Sequence, residues 1–234
     1  MKRVIFLSVI LIAVTLTAGF SNGQAVVKET RDLSGFTKVS FGVAGELYIN
    51  FGKEFKVVLE GEKSLLEDIV TEVTGSKLVI KKENWRLGIN EKVTVYITMP
   101  ELKGLGVSGS GRAEIKDPVK AEGLDLSVSG SGKINTTDIL TSDLNCSISG
   151  SGDIIFGGSG DATKADIAIS GSGNYSGESL KIGSASISIS GSGNCTCNVT
   201  ESLEASVSGS GNVSYLGNPK VDARVSGSGH IRSK

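Results

Sequence analysis

The 234-residue chain contains one histidine, His230, and one tryptophan, Trp85. With its only histidine at the tail, the chain cannot assemble a Ser–His pair or a histidine-based metal centre anywhere else. Aromatic residues make up 5% of the sequence, so the stacking platforms that sugar-binding sites use are scarce. Charge of one sign is also missing: 24 Lys and Arg stand against 25 Asp and Glu. Nucleic acid and anionic membrane surfaces require concentrated Lys and Arg, so neither is expected as a partner. Three prolines are too few to build a Pro-rich linker. Three cysteines are an odd number for an exported chain, so they cannot all pair within it.

Long apolar runs are missing after residue 20. The one at the start, "VIFLSVILIAVTLTAGF" (4–20), follows Lys2 and Arg3 and precedes the small residues of "GQA" (23–25). A basic start, a short apolar core and a small-x-small site predict a secretory signal peptide over 1–25. An uncleaved N-terminal anchor is the alternative reading of the same run. No cysteine lies near the cut, so lipid-anchored export lacks its acceptor. Without Lys2 and Arg3, 22 basic residues face 25 acidic ones. The remaining 26–234 is expected to form one domain, exported to the periplasm, the outer-membrane surface or the medium, and not integral to a membrane after cleavage.

Glycine, by contrast, is abundant at 32 residues, and its placement is periodic. The word SGSG begins at Ser108, Ser129, Ser149, Ser170, Ser190, Ser208 and Ser226, in steps of 21, 20, 21, 20, 18 and 18 residues. A flexible linker lacks the β-branched residues that flank every copy. One residue before each copy stands Val107, Val128, Ile148, Ile169, Ile189, Val207 or Val225, and apolar residues recur three and five before most of them. Five residues after the first serine stand Ala113, Ile134, Ile154, Tyr175, Cys195, Val213 and Ile231. This is period-two alternation, the pattern of strands with one buried face. By the same parity both serines point outward and both glycines point inward. A strand glycine costs about 0.5–1 kcal/mol relative to alanine, so glycine fixed at these positions implies that side chains do not fit there.

Units of about 20 residues without a helical period stack as a β-solenoid. A leucine-rich repeat is excluded, because its asparagine position is serine in all seven copies and no helix recurs. Residues 108–234 are read as the SGSG coils and 36–107 as N-terminal coils. The latter include strands within 36–52, 54–61, 76–83 and 91–100, and a short helix within "SLLEDIVTEV" (64–73) with a Ser64 cap. At the other end Arg224, His230, Arg232 and Lys234 cluster on the outward parity, where basic side chains discourage strand addition to an open edge.

The order of these features resembles a known family. "FTKVSFGVAGELYINFG" (36–52), the strand at 78–80, "VTVYITMPELKGLGVSGSGRAEI" (93–115) and the serial "VSGSG/ISGSG" copies are similar to the autotransporter-adhesin family called the head-GIN domain. The resemblance implies an all-β fold, a right-handed single-stranded parallel β-helix of pectin-lyase-like architecture, in an exported protein of Bacteroidetes-type bacteria. It supplies no catalytic residues and identifies no ligand.

For chemistry, the outward serines form the leading candidate binding face: Ser129, Ser131, Ser149, Ser151, Ser170, Ser172, Ser190, Ser192, Ser208 and Ser210. Beside them stand Asn174, Asn194 and Asn212. Such a face could bind a surface glycan or protein, or its Ser and Asn could satisfy one another along the stack. Trp85, in "KENWRLGIN" (82–90), is either a glycan-stacking platform or packing over the core end. The acids Asp125, Asp166, Glu204 and Asp222 form a column broken by Asn145 and Ser186, which reads as solvated charge rather than a metal or acid/base set. "GGSGDAT" (157–163) reads as a loop, and Cys146, Cys195 and Cys197 as buried free thiols. No catalytic residue, metal or cofactor is expected. The function expected is a non-enzymatic adhesive or structural module. A polysaccharide lyase or hydrolase using Arg112, Lys133 and Asp153 is the alternative.

Overall fold

The computed structural model describes residues 26–83 and 92–234. The predicted signal peptide at 1–25 and Trp85 lie outside the described residues. The rest is nearly all strand. The N-terminal part runs β1 (Val26–Arg31), β2 (Lys38–Gly42), β3 (Gly45–Phe51), β4 (Lys56–Glu62), α1 (Lys63–Glu67), β5 (Ile69–Thr74), β6 (Lys77–Lys82), β7 (Val93–Met99), β8 (Gly104–Gly109) and β9 (Arg112–Ile115). The repeats follow as β10 (Val119–Gly130), β11 (Lys133–Thr136), β12 (Ile139–Gly150), β13 (Asp153–Phe156), β14 (Gly160–Gly171), β15 (Asn174–Gly191), β16 (Asn194–Gly209), β17 (Asn212–Leu216), β18 (Lys220–Gly227) and β19 (His230–Ser233).

Coils stack in register to form a parallel β-solenoid. Ser108, Ser129, Ser149, Ser170, Ser190, Ser208 and Ser226 pair one above the next through β8, β10, β12, β14, β15, β16 and β18. At a strand spacing of about 4.8 Å the column rises roughly 29 Å. The inward residues fill the core as the alternation predicts. Val128, Ile148, Ile169, Ile189, Val207, Ile134, Ile154, Tyr175, Cys195 and Val213 are all buried. One apolar cluster runs continuously from Phe36 to Val213.

The two glycines of each SGSG do different jobs, which corrects the shared inward assignment. The second is buried beneath the core. A Cβ on Gly152 would lie 2.4 Å from both the Gly132 carbonyl oxygen and Val128 Cγ1. The first sits half-buried on the bend itself. At Gly150 φ is +116° and a Cβ would strike the Gly130 carbonyl oxygen at 2.5 Å, not the core. That carbonyl accepts the Ser151 N–H at 2.8 Å, and Asp153 N–H reaches the Gly132 carbonyl at 3.1 Å. The inter-coil ladder therefore continues around the corner on backbone alone, and a side chain there would break it.

The start of the stack is out of sequence order. β2 lies between β6 and β8, and β3 between β7 and β9. The "GVAG" of 42–45 thereby occupies the corner that SGSG takes in the repeats. Gly111 rests on it, and a Cβ at Gly111 would meet the Val43 carbonyl at 2.6 Å. Beyond β6 and β7, strands β5 and β4 add antiparallel, and β1, which the sequence did not announce, adds antiparallel to β4. The helix is shorter than expected. Only Lys63–Glu67 is helical, its N-cap is Glu62 with no side-chain cap bond, and Leu65 and Leu66 are buried. Ile69–Thr74 is strand because its β-branched residues pair along β6, which overrides their helix-like spacing. At the far end β18 pairs only with β16, and β19 only with β17, among the described residues. The last coil is an open edge.

A serine-faced side of the solenoid

Every serine of the expected face is exposed: Ser129, Ser131, Ser149, Ser151, Ser170, Ser172, Ser190, Ser192, Ser208 and Ser210. Register brings the first serine of each copy into one column, and the corner ladder carries the second serines beside it. Asn174, Asn194 and Asn212 form a separate column across the corner, and their side chains are already engaged. Asn174 Nδ2 donates to Asp153 Oδ1 at 2.9 Å, Asn194 Nδ2 to Asn174 Oδ1 at 3.1 Å, and Asn212 Nδ2 to Asn194 Oδ1 at 3.0 Å. Lys133 Nζ completes the run at 3.4 Å from Asp153. The serine hydroxyls make no hydrogen bond within the described chain. Of the two roles open to this polar face, the asparagines take mutual satisfaction, while the serines leave their donors and acceptors to solvent or a ligand.

The sequence marks Ser127 as outward and polar but not the whole third column to which it belongs. Ser127, Ser147, Ala168, Ser188 and Ser206 stand two residues before SGSG on the same parity and are all exposed. That shared parity was the signal. With the column at Asp125, Asn145 and Asp166, Ser127, Ser147, Ala168 and Ser188 floor a shallow groove of about 350 Å³. A second hollow of about 440 Å³, lined by Asp166, Ser186, Glu204 and Asp222 among others, continues it toward the open end. Along its edge Lys38 reaches over Gly104 to Asp125 Oδ2 at 2.8 Å, and Asn145 Nδ2 donates to Asp125 Oδ1 at 3.0 Å. The Lys38 hydrogen bond, then that of Asn145, hold the Asp125 carboxyl below the usual aspartate range.

Arg112, Lys133 and Asp153 do lie on adjacent coils. Asp153, however, is held by Lys133 and Asn174 together. Glu204 and Asp222 are neighbours in register, and Asp222 pairs with Arg224 at 3.3 Å. Among the described residues no group of three or more His, Cys, Asp and Glu is placed to hold a metal ion. "GGSGDAT" is a corner: Ser159 N–H donates to Asp138 Oδ1 at 2.8 Å, and β14 begins at Gly160.

Cys146, Cys195 and Cys197 are buried and free. Burial raises the Cys146 and Cys195 thiols, and the Cys197 hydrogen bond raises Cys195 further. Tyr175 lies in the same core region with its hydroxyl unpartnered, so burial raises its phenol as well. Among the described residues one outward ring pair, Tyr48 and Tyr96, stacks at 5.5 Å on β3 and β7. Lys116 Nζ sits 4.8 Å from the Tyr48 ring and Lys28 Nζ 5.7 Å from the Tyr96 ring, so cations already occupy the pair.

Solved structures share this architecture. A protein described as a "putative adhesin" from Bacteroides fragilis NCTC 9343 aligns at TM-score 0.83 and 23% identity, covering 92% of this chain and all of its own. A "putative lipid binding protein" from Parabacteroides distasonis ATCC 8503 aligns at TM-score 0.70 and 23% identity, over 91% of this chain and 98% of its own. A "putative adhesin" from Parabacteroides merdae ATCC 43184 aligns at TM-score 0.71 and 22% identity, over 91% and 97%. At these identities the likeness establishes the fold. Among proteins of curated function no relative matches. The model of one family, described as "Putative auto-transporter adhesin, head GIN domain", spans residues 35–219, and the chain belongs to that family.

Proposed function

We propose that this protein is an exported, non-enzymatic binding module whose serine-faced side engages a partner at the cell surface, a glycan or a protein. Residues 1–25 direct export and 26–234 act as one unit. The observation that carries this reading is the row of exposed hydroxyls without hydrogen-bond partners among the described residues, repeated at each coil step of the sheet. Such a face suits repetitive polar recognition, with each hydroxyl able to donate and accept. The asparagine column and the Lys133–Asp153 pair act as stack-holding ladders in this account rather than as ligand contacts or acid/base groups. Among the described residues no helix is long and apolar enough to cross a membrane. Membership of a family named for adhesins supports the surface role. Protease shaving of whole cells with fractionation tests the location: a surface or periplasmic pool is expected, and a purely cytoplasmic protein contradicts it. Binding of the purified protein to glycan and surface-protein arrays tests the activity. Release of reducing ends from any polysaccharide, lost in Asp153→Asn, would replace this reading with an enzymatic one.

A further inference from the structure

The two ends of the solenoid are finished differently. The first is closed by antiparallel β4 and β5 with α1, whereas β18 is exposed along its whole length. Val221 and Val225, at 40% and 44% exposure, are two of the few large apolar side chains left in solvent among the described residues. Basic residues alone would blunt such an edge, but this strand also carries Asp222, and its sequence, "KVDARVSG", is self-complementary. Laid antiparallel on a copy of itself about Ala223, Val221 faces Val225 and Asp222 faces Arg224.

Backbone direction agrees with that register. On an earlier coil Asp125 N–H points back to the Lys103 carbonyl, so outward residues of this side direct their backbone groups to the preceding coil. By the same register Asp222 and Arg224 face β16, and the N–H and C=O of Val221, Ala223 and Val225 face the open edge. These three residues are the ones that the Ala223-centred register makes hydrogen-bonded pairs, Val221 with Val225 and Ala223 with itself. Asp222 and Arg224 then fall in the intervening non-hydrogen-bonded pairs, where side chains approach most closely. A one-residue slip would lose both matches.

We infer that the protein forms a two-fold dimer through antiparallel pairing of β18 with β18 of a second copy. The pairing removes the open edge and covers the exposed valines. The two-fold axis runs perpendicular to this side of the solenoid, so the serine faces of both copies point the same way on one continuous sheet. A partner with repeated epitopes would meet two faces at once.

The test is sedimentation of the purified exported protein, residues 26–234, over a dilution series, with Arg224→Asp and Asp222→Arg as single variants. Both side chains are largely in solvent, and circular dichroism checks that the coils are retained. The wild type should sediment as a dimer. Each single variant faces two like-charged pairs across the axis, and its association should weaken roughly tenfold or more. Mixing the two variants restores opposite charges at every position and should recover the dimer as a heterodimer. A wild type that is monomeric throughout, single variants that dimerise like the wild type, or a mixture that stays monomeric each overturns the inference.

Discussion

Replacing Gly152 with alanine puts a methyl carbon 2.4 Å from the Gly132 carbonyl oxygen and 2.4 Å from Val128 Cγ1. Neither neighbour can retreat cheaply. The carbonyl accepts Asp153 N–H at 3.1 Å, and Val128 is buried between coils. Overpacking of this kind costs about 1–3 kcal/mol, and here one contact is backbone, which places Gly152→Ala at the upper end. Gly123 is the matched control. It lies in the same long strand family, a Cβ there meets nothing within 4 Å, and its φ is not positive. Gly123→Ala should gain about 0.5–1 kcal/mol by stiffening the unfolded chain. Gly109→Ala isolates the third case, since φ is +79° with open space around the Cβ. It should cost about 1–2 kcal/mol from conformation alone. For a chain of this length each kcal/mol moves the melting temperature by roughly 2–4 °C. Thermal and urea midpoints should therefore rank Gly123→Ala above wild type, then Gly109→Ala, then Gly152→Ala. A Gly152→Ala protein as stable as Gly123→Ala would refute the steric argument for the second glycine.

Other expectations follow from the ladders and the core. Asn194→Ala leaves Asn174 Oδ1 and Asn212 Nδ2 without their partner and should cost about 0.5–1.5 kcal/mol by urea denaturation. Asp125 has a folded pKa below its unfolded value, so its contribution is present above about pH 4 and fades as pH falls through the lowered value. The pair is exposed, so this amounts to less than about 1 kcal/mol; Lys38→Met should flatten that acid limb in a pH series of urea midpoints. The three thiols should resist a disulfide-exchange reagent in the native protein and react only on unfolding, because burial holds Cys146 and Cys195 in the thiol form. Fast labelling of the native state would contradict their burial.

Much of the repeat was legible because period two is local. Parity alone placed Tyr175 and Cys195 inside and Ser149 and Ser170 outside, and the strands fix each coil directly on the last. Parity could not separate Gly150 from Gly152, since both lie on the inward phase and only the bend geometry distinguishes them. The position of β2 and β3 between later strands was invisible for a different reason. Lateral pairing of Phe41 with Ile80 on one side and Val107 on the other leaves no trace in sequence spacing. Likewise Ile69–Val73 shows helical spacing, but pairing with β6 decides the outcome. In the candidate site the exposed serines were readable. Their lack of partners, against the hydrogen-bonded asparagines, depended on side-chain geometry that alternation does not encode.

The account separates two roles within one four-residue word: glycines shape the corner, and serines present the face. Alanine at Ser149, Ser170 and Ser190 together removes neighbouring hydroxyls without touching a hydrogen bond of the described chain. The most direct measurement is binding of this triple variant and wild type to whichever array or cell-surface partner the wild type retains, alongside their urea midpoints. The prediction is unchanged stability with binding reduced at least several-fold. Equal binding by the two proteins, or a lost fold, would contradict it.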